Sequence, residues 1–579
     1  MNSISPICCF ENSTLLDVLN IFEIANNYSL PNGIALVIDK NTKSLLGTIT
    51  EGDLRRSLLH KNDLNVFASE IMNKTPIIFN ENLSFSEIIN DLPIELLKRK
   101  RRSNKFLGKV VLVNELNQPV RVLNYHELLE QRFALHRNIV IMGMGYVGLT
   151  LALVMADAGF SVVGVEKDEH KLSKLLSGES YIHELGLPEL LKEHVNRKLN
   201  FTNEIPHNCD VYIISVGTPI NNLDDSIKSP DLAFLTSSCI EIGDNLKQGS
   251  LVVLRSTVPI GTSRNIVKKI LEERSNLKCG FDFHLSFAPE RTAEGRALKE
   301  LRSLPQIVGG YNRDSLEATA ALFRDLTPMI VKVDSLEAAE MAKLLNNSFR
   351  DYIFAFSNQC AKIANEFNID IFKTIEAANN GYVRDPIPYP SPGVGGPCLT
   401  KDPYIFATGA QAIENGGEIF THGRTVNESM IYYVFNKIVE QLNVLGKRLD
   451  SCNILICGLA FKGYPETSDL RNSPSIEVAN LFKGKVKNLY GHDPIASDDD
   501  LSHYGLIPVN IPEGFNDIDV VLFLNNHKKF EKISVFEMTR KMNDLPIVFD
   551  GWNIFHREGI LSAKPSVYMG LSFTETSIL

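Results

Sequence analysis

The chain has 579 residues, which is too many for a single hydrophobic core, so we expect three or four domains. Hydrophobic residues make up 44% of the chain and charged residues 22%, a balance typical of soluble globular proteins. The formal net charge of −10 argues against a nucleic-acid-binding protein, because such proteins depend on an excess of Lys and Arg.

The sequence also argues against a membrane or secreted protein. No apolar run approaches the roughly 20 residues that a membrane-spanning helix needs, and the N-terminus lacks a basic segment followed by an apolar one. The nine cysteines are scattered and do not have the spacing of a zinc site. We therefore expect reduced thiols, no metal site and a cytoplasmic location.

Residues 1–132 contain two similar runs, each of which predicts a βαββα unit. In the first run a helix is predicted over 14–26, followed by strands over 34–38 and 45–49. In the second run a helix is predicted to end near residue 91, and strands are predicted over 110–113 and 119–123. A duplication of this size predicts two copies of one unit that bury their sheets together.

The turn Thr50-x-x-Asp53, which follows Gly47-Thr48-Ile49, makes this segment resemble a pair of CBS domains. The resemblance implies an α+β module in which Thr50 and Asp53 hold the ribose of an adenine-nucleotide effector. On the residues alone, Thr50 is also a typical helix N-cap, so nucleotide sensing and a structural or dimerising role both stay open. The second copy has Asn124 and Glu127 at the matching turn, which predicts no second ribose site.

Five consecutive basic residues, from Lys98 to Arg102, lie within the second copy. Such a run is typical of a solvated loop, and it is also a candidate clamp for a phosphorylated effector.

The remaining chain predicts two Rossmann-like, doubly wound α/β lobes joined by a long helical spine. Residues 137–334 alternate short apolar strands with helices, which is typical of a parallel sheet. Residues 335–445 are predicted to be mainly helical, with one proline-free helix over 335–367. A second α/β unit is predicted over 446–579.

A glycine-rich turn, Gly143-Met144-Gly145-Tyr146-Val147-Gly148, lies between a predicted strand and a predicted helix. Its first glycine permits a tight turn, the second allows a pyrophosphate to approach the backbone, and the third allows the helix to pack on the strand. The next strand ends at Glu166, close to the interval expected for a ribose ligand. The carboxylate favours NAD over NADP because it repels a 2′-phosphate, although Lys167 and Lys171 weaken that inference.

Cys398 lies in the stretch Gly393-Val394-Gly395-Gly396-Pro397-Cys398-Leu399-Thr400-Lys401-Asp402. The glycines allow close approach of a ligand, and Lys401 is expected to favour the reactive thiolate. Lys343 and Asn347 are four residues apart on the predicted long helix, so they share a face and could stabilise an oxyanion together.

Seven motifs in one order make residues 138–560 resemble the UDP-glucose/GDP-mannose dehydrogenase family. They are the glycine-rich turn, Gly217-Thr218-Pro219, Ser256-Thr257-Val258-Pro259, Pro289-Glu290 with Glu294-Gly295, Glu340-Met341-x-Lys343-x-x-x-Asn347, Gly395-Gly396-x-Cys398-x-x-Lys401-Asp402, and Phe461-Lys462 with Asp469-x-Arg471.

The resemblance implies an NAD-dependent, four-electron oxidation of the C6 hydroxyl of a UDP-sugar to a carboxylate. By the same resemblance, Cys398 is the nucleophile and Lys343 is an acid/base group that forms the oxyanion site with Asn347. Glu290 would assist thioester hydrolysis, and Asp402 would orient water.

The expected cofactor-binding residues are Gly143, Gly145, Tyr146, Val147, Gly148, Glu166, Lys171, Thr218, Thr257 and Glu294. The expected substrate-binding residues are Arg384 (lent by a neighbouring subunit of a homodimer or larger homo-oligomer), Gly395, Phe461, Lys462 and Arg471. One departure from the family pattern is the stretch Phe549-Asp550-Gly551-Trp552-Asn553, which lacks the arginine that the family often places after the Asp and so puts one substrate-phosphate contact in doubt.

Several alternatives stay open at this point. The contexts of Pro289-Glu290-Arg291 and Pro397-Cys398 favour a UDP-N-acetylhexosamine over UDP-glucose as the substrate. A second possible function is that of a regulatory protein that senses nucleotides but does not catalyse a reaction. A simple NAD-dependent alcohol or hydroxyacid dehydrogenase that needs no cysteine is a third.

Overall fold

The computed structural model describes residues 4–25, 33–61, 63, 65–81, 83, 88, 91–92, 95, 109–124, 137–207, 209–223, 227–410, 413 and 416–577, apart from some side chains at the edges of these ranges. It divides into two compact units, 1–136 and 137–579. The predicted helix ending near residue 91, the basic run 98–102 and the closing turn near Glu127 lie wholly or mostly outside the described residues. No helix in the described part of the chain is both long and apolar enough to cross a membrane.

The N-terminal unit contains two three-stranded sheets, ordered β1-β2-β3 and β4-β5-β6. Each pairs its first two strands in parallel and its last two antiparallel, so the two halves repeat one pattern. Side chains from both sheets, including Leu36 and Val111, share one buried core. The predicted α+β module is therefore confirmed. Its strands are β1 (Cys8–Cys9), β2 (Ile34–Ile38), β3 (Leu45–Thr50), β4 (Ile78–Asn80), β5 (Lys109–Val113) and β6 (Pro119–Asn124), and its helices are α1 (Leu15–Ala25), α2 (Glu51–Lys61) and α3 (Ala68–Ile71).

The second unit begins with an eight-stranded sheet, ordered β16-β15-β14-β13-β10-β7-β8-β9, beside a separate hairpin of β11 and β12. The chain reverses its direction of winding between β7 and β10, and ligands of open α/β sheets bind at such a switch point. The strands are β7 (Asn138–Met142), β8 (Ser161–Val165), β9 (Leu199–Thr202), β10 (Val211–Ile214), β11 (Ile220–Leu223), β12 (Ile227–Pro230), β13 (Leu251–Leu254), β14 (His284–Phe287), β15 (Gln306–Gly310) and β16 (Ile330–Val333). The helices are α4 (Tyr146–Asp157), α5 (Glu169–Leu176), α6 (Leu187–His194), α7 (Ala233–Asn245), α8 (Lys268–Ser275), α9 (Ala297–Leu301) and α10 (Arg313–Arg324).

The expectation of a wholly parallel sheet is wrong at one pair of strands. β14 and β15 pair antiparallel, with Ser286 opposite Gly310 and Phe287 opposite Gly309. The connection 288–305 contains only the five-residue helix α9, and not the full helix that usually crosses over between parallel neighbours.

Four helices form the spine of the second unit. The predicted long helix is confirmed as α11, and the Ser335 side chain caps it by accepting a hydrogen bond from the Ala338 amide at 3.1 Å. The small residues Ala355 and Ala361 are buried on its inner side, so α14 can pack closely along it. The helices are α11 (Leu336–Glu366), α12 (Ile371–Asn379), α13 (Asp402–Thr408) and α14 (Glu418–Val444).

The C-terminal lobe is a seven-stranded sheet ordered β19-β18-β17-β20-β21-β22-β23, which is parallel except for β22 and β23. Its core continues into the spine, because Met430, Val434 and Ile438 of α14 pack with Ile454 and Ile456 of β17. The predicted pair of Rossmann-like lobes around helices is confirmed. The strands are β17 (Asn453–Cys457), β18 (Asn488–His492), β19 (Ile507–Pro508), β20 (Val520–Phe523), β21 (Ile547–Asp550), β22 (Val567–Met569) and β23 (Thr574–Thr576), and the helices are α15 (Pro474–Phe482), α16 (Asp498–His503), α17 (Val535–Lys541) and α18 (Arg557–Ala563).

Candidate active site

The glycine-rich turn joins the end of β7 to the start of α4. Gly143 has a φ of 85°, which favours glycine, and a Cβ on Gly148 would lie 1.9 Å from the Gly143 carbonyl oxygen. A Cβ on Gly145, by contrast, would meet no atom within 4 Å. Gly145 is the N-cap of α4, and Tyr146 and Val147 form the first turn. The turn therefore offers open space in front of a helix N-terminus, which fits the pyrophosphate of a dinucleotide.

Glu166 lies at the end of β8, beside the glycine-rich turn. Its carboxylate accepts hydrogen bonds from the Met144 amide at 3.1 Å and the Asp168 amide at 3.0 Å. Lys167 donates to Asn203 and Glu241, while Lys171 lies 3.7 Å from Asp168. The Lys167 amine is thus engaged elsewhere, which removes one of the two reservations about a preference for NAD.

Tyr146 connects the turn to the loop that carries Glu290 and Glu294. Its hydroxyl donates to the buried Glu184 and accepts a hydrogen bond from the Gly295 amide at 2.9 Å. The Gly295 amide also donates to Glu184 at 2.7 Å. The sequence analysis missed Glu184, because nothing in the local sequence links it to a residue 111 positions away.

The loops after β10 and β13 meet next to the turn. The Thr218 hydroxyl donates to the Thr257 carbonyl oxygen at 2.6 Å, and the Ser256 hydroxyl donates to the Val216 carbonyl oxygen at 2.6 Å. Lys401 Nζ lies 3.5 Å from the Thr218 hydroxyl. The expected cofactor residues Thr218 and Thr257 therefore lie side by side. Next to them is the loop 391–402 that carries the nucleophile, called the Cys398 loop below.

Lys343 is buried beside Glu290. Its ammonium donates to the Glu290 carbonyl oxygen and lies 3.6 Å from Glu290 Oε2. Burial lowers the pKa of Lys343, but the negative charges of Glu290 and Asp402, with that of Cys398 in its thiolate form, outweigh burial and raise the pKa above its ordinary value. Lys343 is therefore a cation in this site.

Asn347 shares the inner face of α11 with Lys343, as predicted from their spacing. Its amide donates to Asp402 at 2.5 Å, and Lys401 donates to the other Asp402 oxygen at 2.7 Å. Asp402 is fully buried at the first turn of α13. The Asp402 carboxylate thus connects α11 to the end of the Cys398 loop.

Cys398 is an exposed residue of its loop, and its sulfur lies within this group of charges. The surrounding protein desolvates it and raises its pKa to about 11, while Lys343 and, more weakly, Lys401 act in the opposite direction. Lys401 was expected to favour the thiolate. Its charge does act in that direction, but desolvation outweighs it, so the thiol is protonated at neutral pH in the absence of ligands.

The predicted catalytic residues form one electrostatic group. The charges of Lys343, Asp402 and Glu294 act on the Cys398 thiol, and Cys398, Asp402 and Glu290 act on Lys343. Such effects require these groups to be near one another. The structure therefore brings together a thiol, a cation and carboxylates from loops and helices far apart in sequence.

Two of the expected substrate residues of the C-terminal lobe, Phe461 and Lys462, contact the Cys398 loop and the Glu294 loop. Cβ atoms built on Gly395 and Gly396 would lie 2.3 Å from the Asn472 carbonyl oxygen and 2.6 Å from the Phe461 ring. Lys462 donates to the Glu294 carbonyl oxygen at 2.7 Å. The C-terminal lobe therefore packs directly against the Cys398 loop.

Glu294 was expected to lie against the cofactor, but in the structure its carboxylate also faces the C-terminal lobe. It accepts a hydrogen bond from the Thr467 hydroxyl at 3.4 Å and lies 3.9 Å from Arg471, which pairs with Asp469. Burial and the Asp469 charge raise the pKa of Glu294 to about 7, whereas Arg471 and Lys462 oppose the rise. Glu294 thus links the two lobes.

A cavity of about 670 Å³ lies between the lobes and the spine. Its wall combines cations and acids with apolar side chains. The lining residues are Gly217, Thr218, Pro219, Ile220, Lys228, Phe234, Val394, Pro397, Thr400, Lys401, Arg424, Glu428, Ile431, Arg471, Asn472, Pro474 and Glu477.

Arg384 is not brought to the site. It is exposed on the segment after α12, and no hydrogen bond or ion pair joins it to another described residue. Its expected role across a subunit interface stays a prediction.

In the N-terminal unit, Thr50 and Asp53 cap α2. The Asp53 carboxylate accepts hydrogen bonds from the Thr50 amide at 2.8 Å and from the Thr50 hydroxyl at 2.7 Å, and it also pairs with Arg56. The first of these bonds is the return half of a capping box, in which the side chain at the third helical position accepts from the amide of the N-cap residue. Ribose binding by the same residues stays a prediction.

Four family models match separate parts of the chain. The UDP-glucose/GDP-mannose dehydrogenase family matches through its NAD binding domain at residues 137–327, its central domain at 337–429 and its UDP binding domain at 455–557. A CBS domain matches residues 1–60.

Individual relatives agree with these matches. The chain is 31% identical over 419 residues to a UDP-N-acetyl-D-mannosamine dehydrogenase from Pyrococcus horikoshii, covering 72% of this chain and 95% of the relative. It is 29% identical over 404 residues to an NDP-N-acetyl-D-galactosaminuronic acid dehydrogenase from Ralstonia solanacearum, covering 69% of this chain and 92% of the relative.

Solved structures give the same result. A UDP-D-ManNAc dehydrogenase structure from Pyrococcus horikoshii matches with a TM-score of 0.67 and 28% identity, covering 75% of this chain and 99% of that one. A UDP-N-acetyl-mannosamine dehydrogenase from Staphylococcus aureus matches with a TM-score of 0.63 and 28% identity, covering 75% and 98%. The chain therefore belongs to the UDP-glucose/GDP-mannose dehydrogenase family and is an NAD-dependent nucleotide-sugar dehydrogenase with an N-terminal CBS domain.

Proposed function

We propose that this enzyme oxidises the C6 hydroxyl of a UDP-N-acetylhexosamine to a carboxylate, through a thioester on Cys398. The observation that carries the proposal is a chain of contacts: Lys343 lies against Glu290, Asn347 on the same helix donates to Asp402, and the Asp402 amide donates to the Cys398 carbonyl oxygen at 2.9 Å. NAD, when bound, supplies the acceptor for the two hydrides. The open helix N-terminus at Gly145 and the carboxylate of Glu166 suit its pyrophosphate and ribose.

The chain's own residues account for the remaining steps. After the alcohol has lost a hydride from C6 and the proton of its hydroxyl, the Cys398 sulfur adds to the aldehyde carbon and the thiol proton ends on the aldehyde oxygen. Loss of the second hydride and of that proton gives a thioester, and water then releases the acid and restores the thiol. Covalent capture divides one difficult oxidation into easier steps and retains the aldehyde.

Lys343 and Asn347 would stabilise the oxygen that carries negative charge in several of these steps. The raised pKa of Lys343 suits this role, because a permanent cation stabilises an oxyanion better than it abstracts a proton. Glu290, buried beside Lys343, is our candidate base for the water that attacks the thioester. Asp402 would act by holding Asn347 and Lys401, and by orienting that water.

The choice of sugar follows from the relatives. The relatives from Pyrococcus horikoshii, Ralstonia solanacearum and Staphylococcus aureus are all named for N-acetylated sugars. The Pyrococcus and Staphylococcus enzymes are named as UDP-N-acetylmannosamine dehydrogenases. UDP-glucose is the alternative substrate.

The test is a comparison of NAD reduction with UDP-N-acetylmannosamine, UDP-N-acetylglucosamine, UDP-N-acetylgalactosamine and UDP-glucose. We expect one N-acetylated sugar to give the highest kcat/KM and two NADH for each acid formed. A higher kcat/KM with UDP-glucose would reject the N-acetylhexosamine assignment. One NADH per sugar would favour a simple alcohol dehydrogenase, and sugar binding without any NADH would favour a catalytically inactive regulatory protein.

We also propose that the N-terminal unit binds an adenine nucleotide through Thr50 and Asp53. The support is the match to a CBS domain at residues 1–60 and the position of both residues at the start of α2. Calorimetric titration of the full chain with AMP, ADP and ATP tests this proposal. We expect binding of at least one nucleotide to be lost in Asp53→Asn and kept in Asp63→Ala, a change at an exposed acid of the same unit. No binding by the unaltered protein would refute it.

A further inference from the structure

A network of buried polar side chains lies beneath the Cys398 loop and is not part of the chemistry described above. It consists of Asp351 and Asn358 on α11, Arg424 and Asn427 on α14, and Ser391 at the start of the loop. Each of the five is at most 2% exposed. Buried polar groups are costly unless they are paired, so such a network favours one arrangement of the chain around it. Each of the five side chains has a hydrogen-bond partner, and Arg424 Nε, which has none of its own, lies 3.6 Å from the Glu428 carboxylate.

Arg424 is the centre of the network. Its guanidinium pairs with Asp351 at 2.5 Å, donates to the Val394 carbonyl oxygen at 3.0 Å and reaches the Leu399 carbonyl oxygen at 3.4 Å. Val394 and Leu399 bracket Cys398. One rigid, planar group therefore holds the backbone on both sides of the nucleophile.

The side chains of Asn427 and Asn358 connect the Arg424–Asp351 pair to the start of the loop by hydrogen bonds. Asn427 donates to the Asp351 carboxylate at 2.9 Å and accepts from Asn358 at 2.8 Å. Asn358 in turn accepts from the Ser391 amide at 2.8 Å, and the Ser391 hydroxyl donates to the Gly393 carbonyl oxygen at 3.0 Å. The spine thus fixes three backbone groups of the loop, and the Ser391 hydroxyl fixes a fourth from within the loop.

The loop needs such support because its own sequence provides little. Gly393, Gly395 and Gly396 have wide conformational freedom, and two of them adopt positive φ values of 153° and 93°. The C-terminal lobe covers the other side of the loop, where Pro474 lies against Gly393 and Gly395. Without the spine contacts, a glycine-rich loop would leave the position of Cys398 poorly defined.

We propose that Arg424 and Asp351 are positioning residues that hold the Cys398 loop so that the thiol meets the aldehyde carbon. This inference rests on the proposed function. In this proposal Arg424 and Asp351 do not contact the substrate. A change at either residue should therefore slow the formation of the carbon–sulfur bond and not the first hydride transfer.

The test uses the full-length enzyme with the conservative variants Arg424→Lys and Asp351→Asn. Arg557→Lys is the matched control, because Arg557 pairs with Asp370 at 2.6 Å away from the loop. We expect acid formation to slow by about 10- to 100-fold in both loop variants, since small displacements of a reacting group have effects of this size. The dissociation constants for NADH and UDP should change by less than about threefold.

Two readouts separate positioning from general destabilisation. Aldehyde trapped with hydroxylamine should rise in the loop variants, so that more than two NADH are formed per acid, while the control stays at two. The rate of iodoacetamide alkylation of Cys398, measured by peptide mass spectrometry without substrate, should also change in the loop variants alone. This second readout does not depend on the identity of the sugar, so the proposed function can fail without affecting it.

If Arg424→Lys or Asp351→Asn does not fold, Ser391→Ala removes only the bond to the Gly393 carbonyl oxygen and should show the same pattern to a smaller degree. Unchanged alkylation together with two NADH per acid in the folded variants would overturn the proposal.

Discussion

At the scale of single residues, the protonation of Cys398 determines how the enzyme starts its covalent chemistry. Desolvation raises the pKa of the thiol to about 11, and Lys343 is the strongest of the groups that oppose this effect. The ligand-free enzyme therefore keeps its nucleophile in the less reactive thiol form. An aldehyde within the site meets a thiol that gives up its proton as it adds.

We expect the rate of Cys398 alkylation by iodoacetamide to increase about tenfold per pH unit between pH 7 and 9, because only the thiolate reacts and its fraction increases in this proportion well below the pKa. Lys343→Met should slow alkylation further, since it removes the charge that lowers the pKa. Lys373→Met, at an exposed lysine, should leave the profile unchanged. A rate that already levels off below pH 8, or faster alkylation of Lys343→Met, would contradict this account.

Residues that interact through local spacing could be predicted from the sequence. Lys343 and Asn347 were placed on one helix face because they are four positions apart, and α11 carries them as expected. Arg424 and Glu184 could not be predicted, because their partners are 73 and 111 positions away. An isolated arginine or glutamate in a helical or loop segment is most often exposed, and no local pattern marks these two as buried.

At the scale of elements, two glycines of the glycine-rich turn are needed for different reasons, one for packing of the fold and the other for space for a ligand. Gly148 is needed for packing, because a side chain there would collide with the Gly143 carbonyl oxygen at 1.9 Å. Gly145 has open space around its Cβ position, so its lack of a side chain serves an approaching ligand and not the fold.

We therefore expect Gly148→Ala and Gly145→Ala to differ in kind. Gly148→Ala should lower the free energy of unfolding by about 1–3 kcal/mol, the usual cost of overpacking a core. Gly145→Ala should leave the melting temperature within about 1 °C and weaken NAD binding, because the methyl group occupies the space in front of the helix N-terminus. Thermal unfolding without ligand and NAD titration measure the two effects. Equal destabilisation by both variants would show that the distinction is wrong.

Helices and parallel strands were more predictable than the connections between them. The proline-free run at 335–367 predicted α11 to within one residue at each end, because long helices carry many independent signals. The antiparallel pairing of β15 was not predicted, since the strand itself resembles its parallel neighbours and only the connection before it sets its direction.

At the scale of the whole molecule, the site of the second unit is built where three parts meet. The first lobe contributes Glu290 and Thr218, the spine contributes Lys343 and Asn347, and the C-terminal lobe covers the Cys398 loop. The order of the parts along the chain was clear from the sequence because each carries its own motif. Their contacts, such as Lys462 with the Glu294 carbonyl oxygen, depend on how the lobes pack, which local patterns do not encode.

The central claim is that Cys398 carries the oxidised sugar as a thioester. Acid quenching of a single turnover, followed by peptide mass spectrometry, tests this claim most directly. The account predicts a transient UDP-sugar adduct on the peptide that contains Cys398, in wild type and in the control Cys360→Ala, and neither adduct nor acid in Cys398→Ser. Acid formation by Cys398→Ser at the wild-type rate, or an adduct on another cysteine, would contradict it.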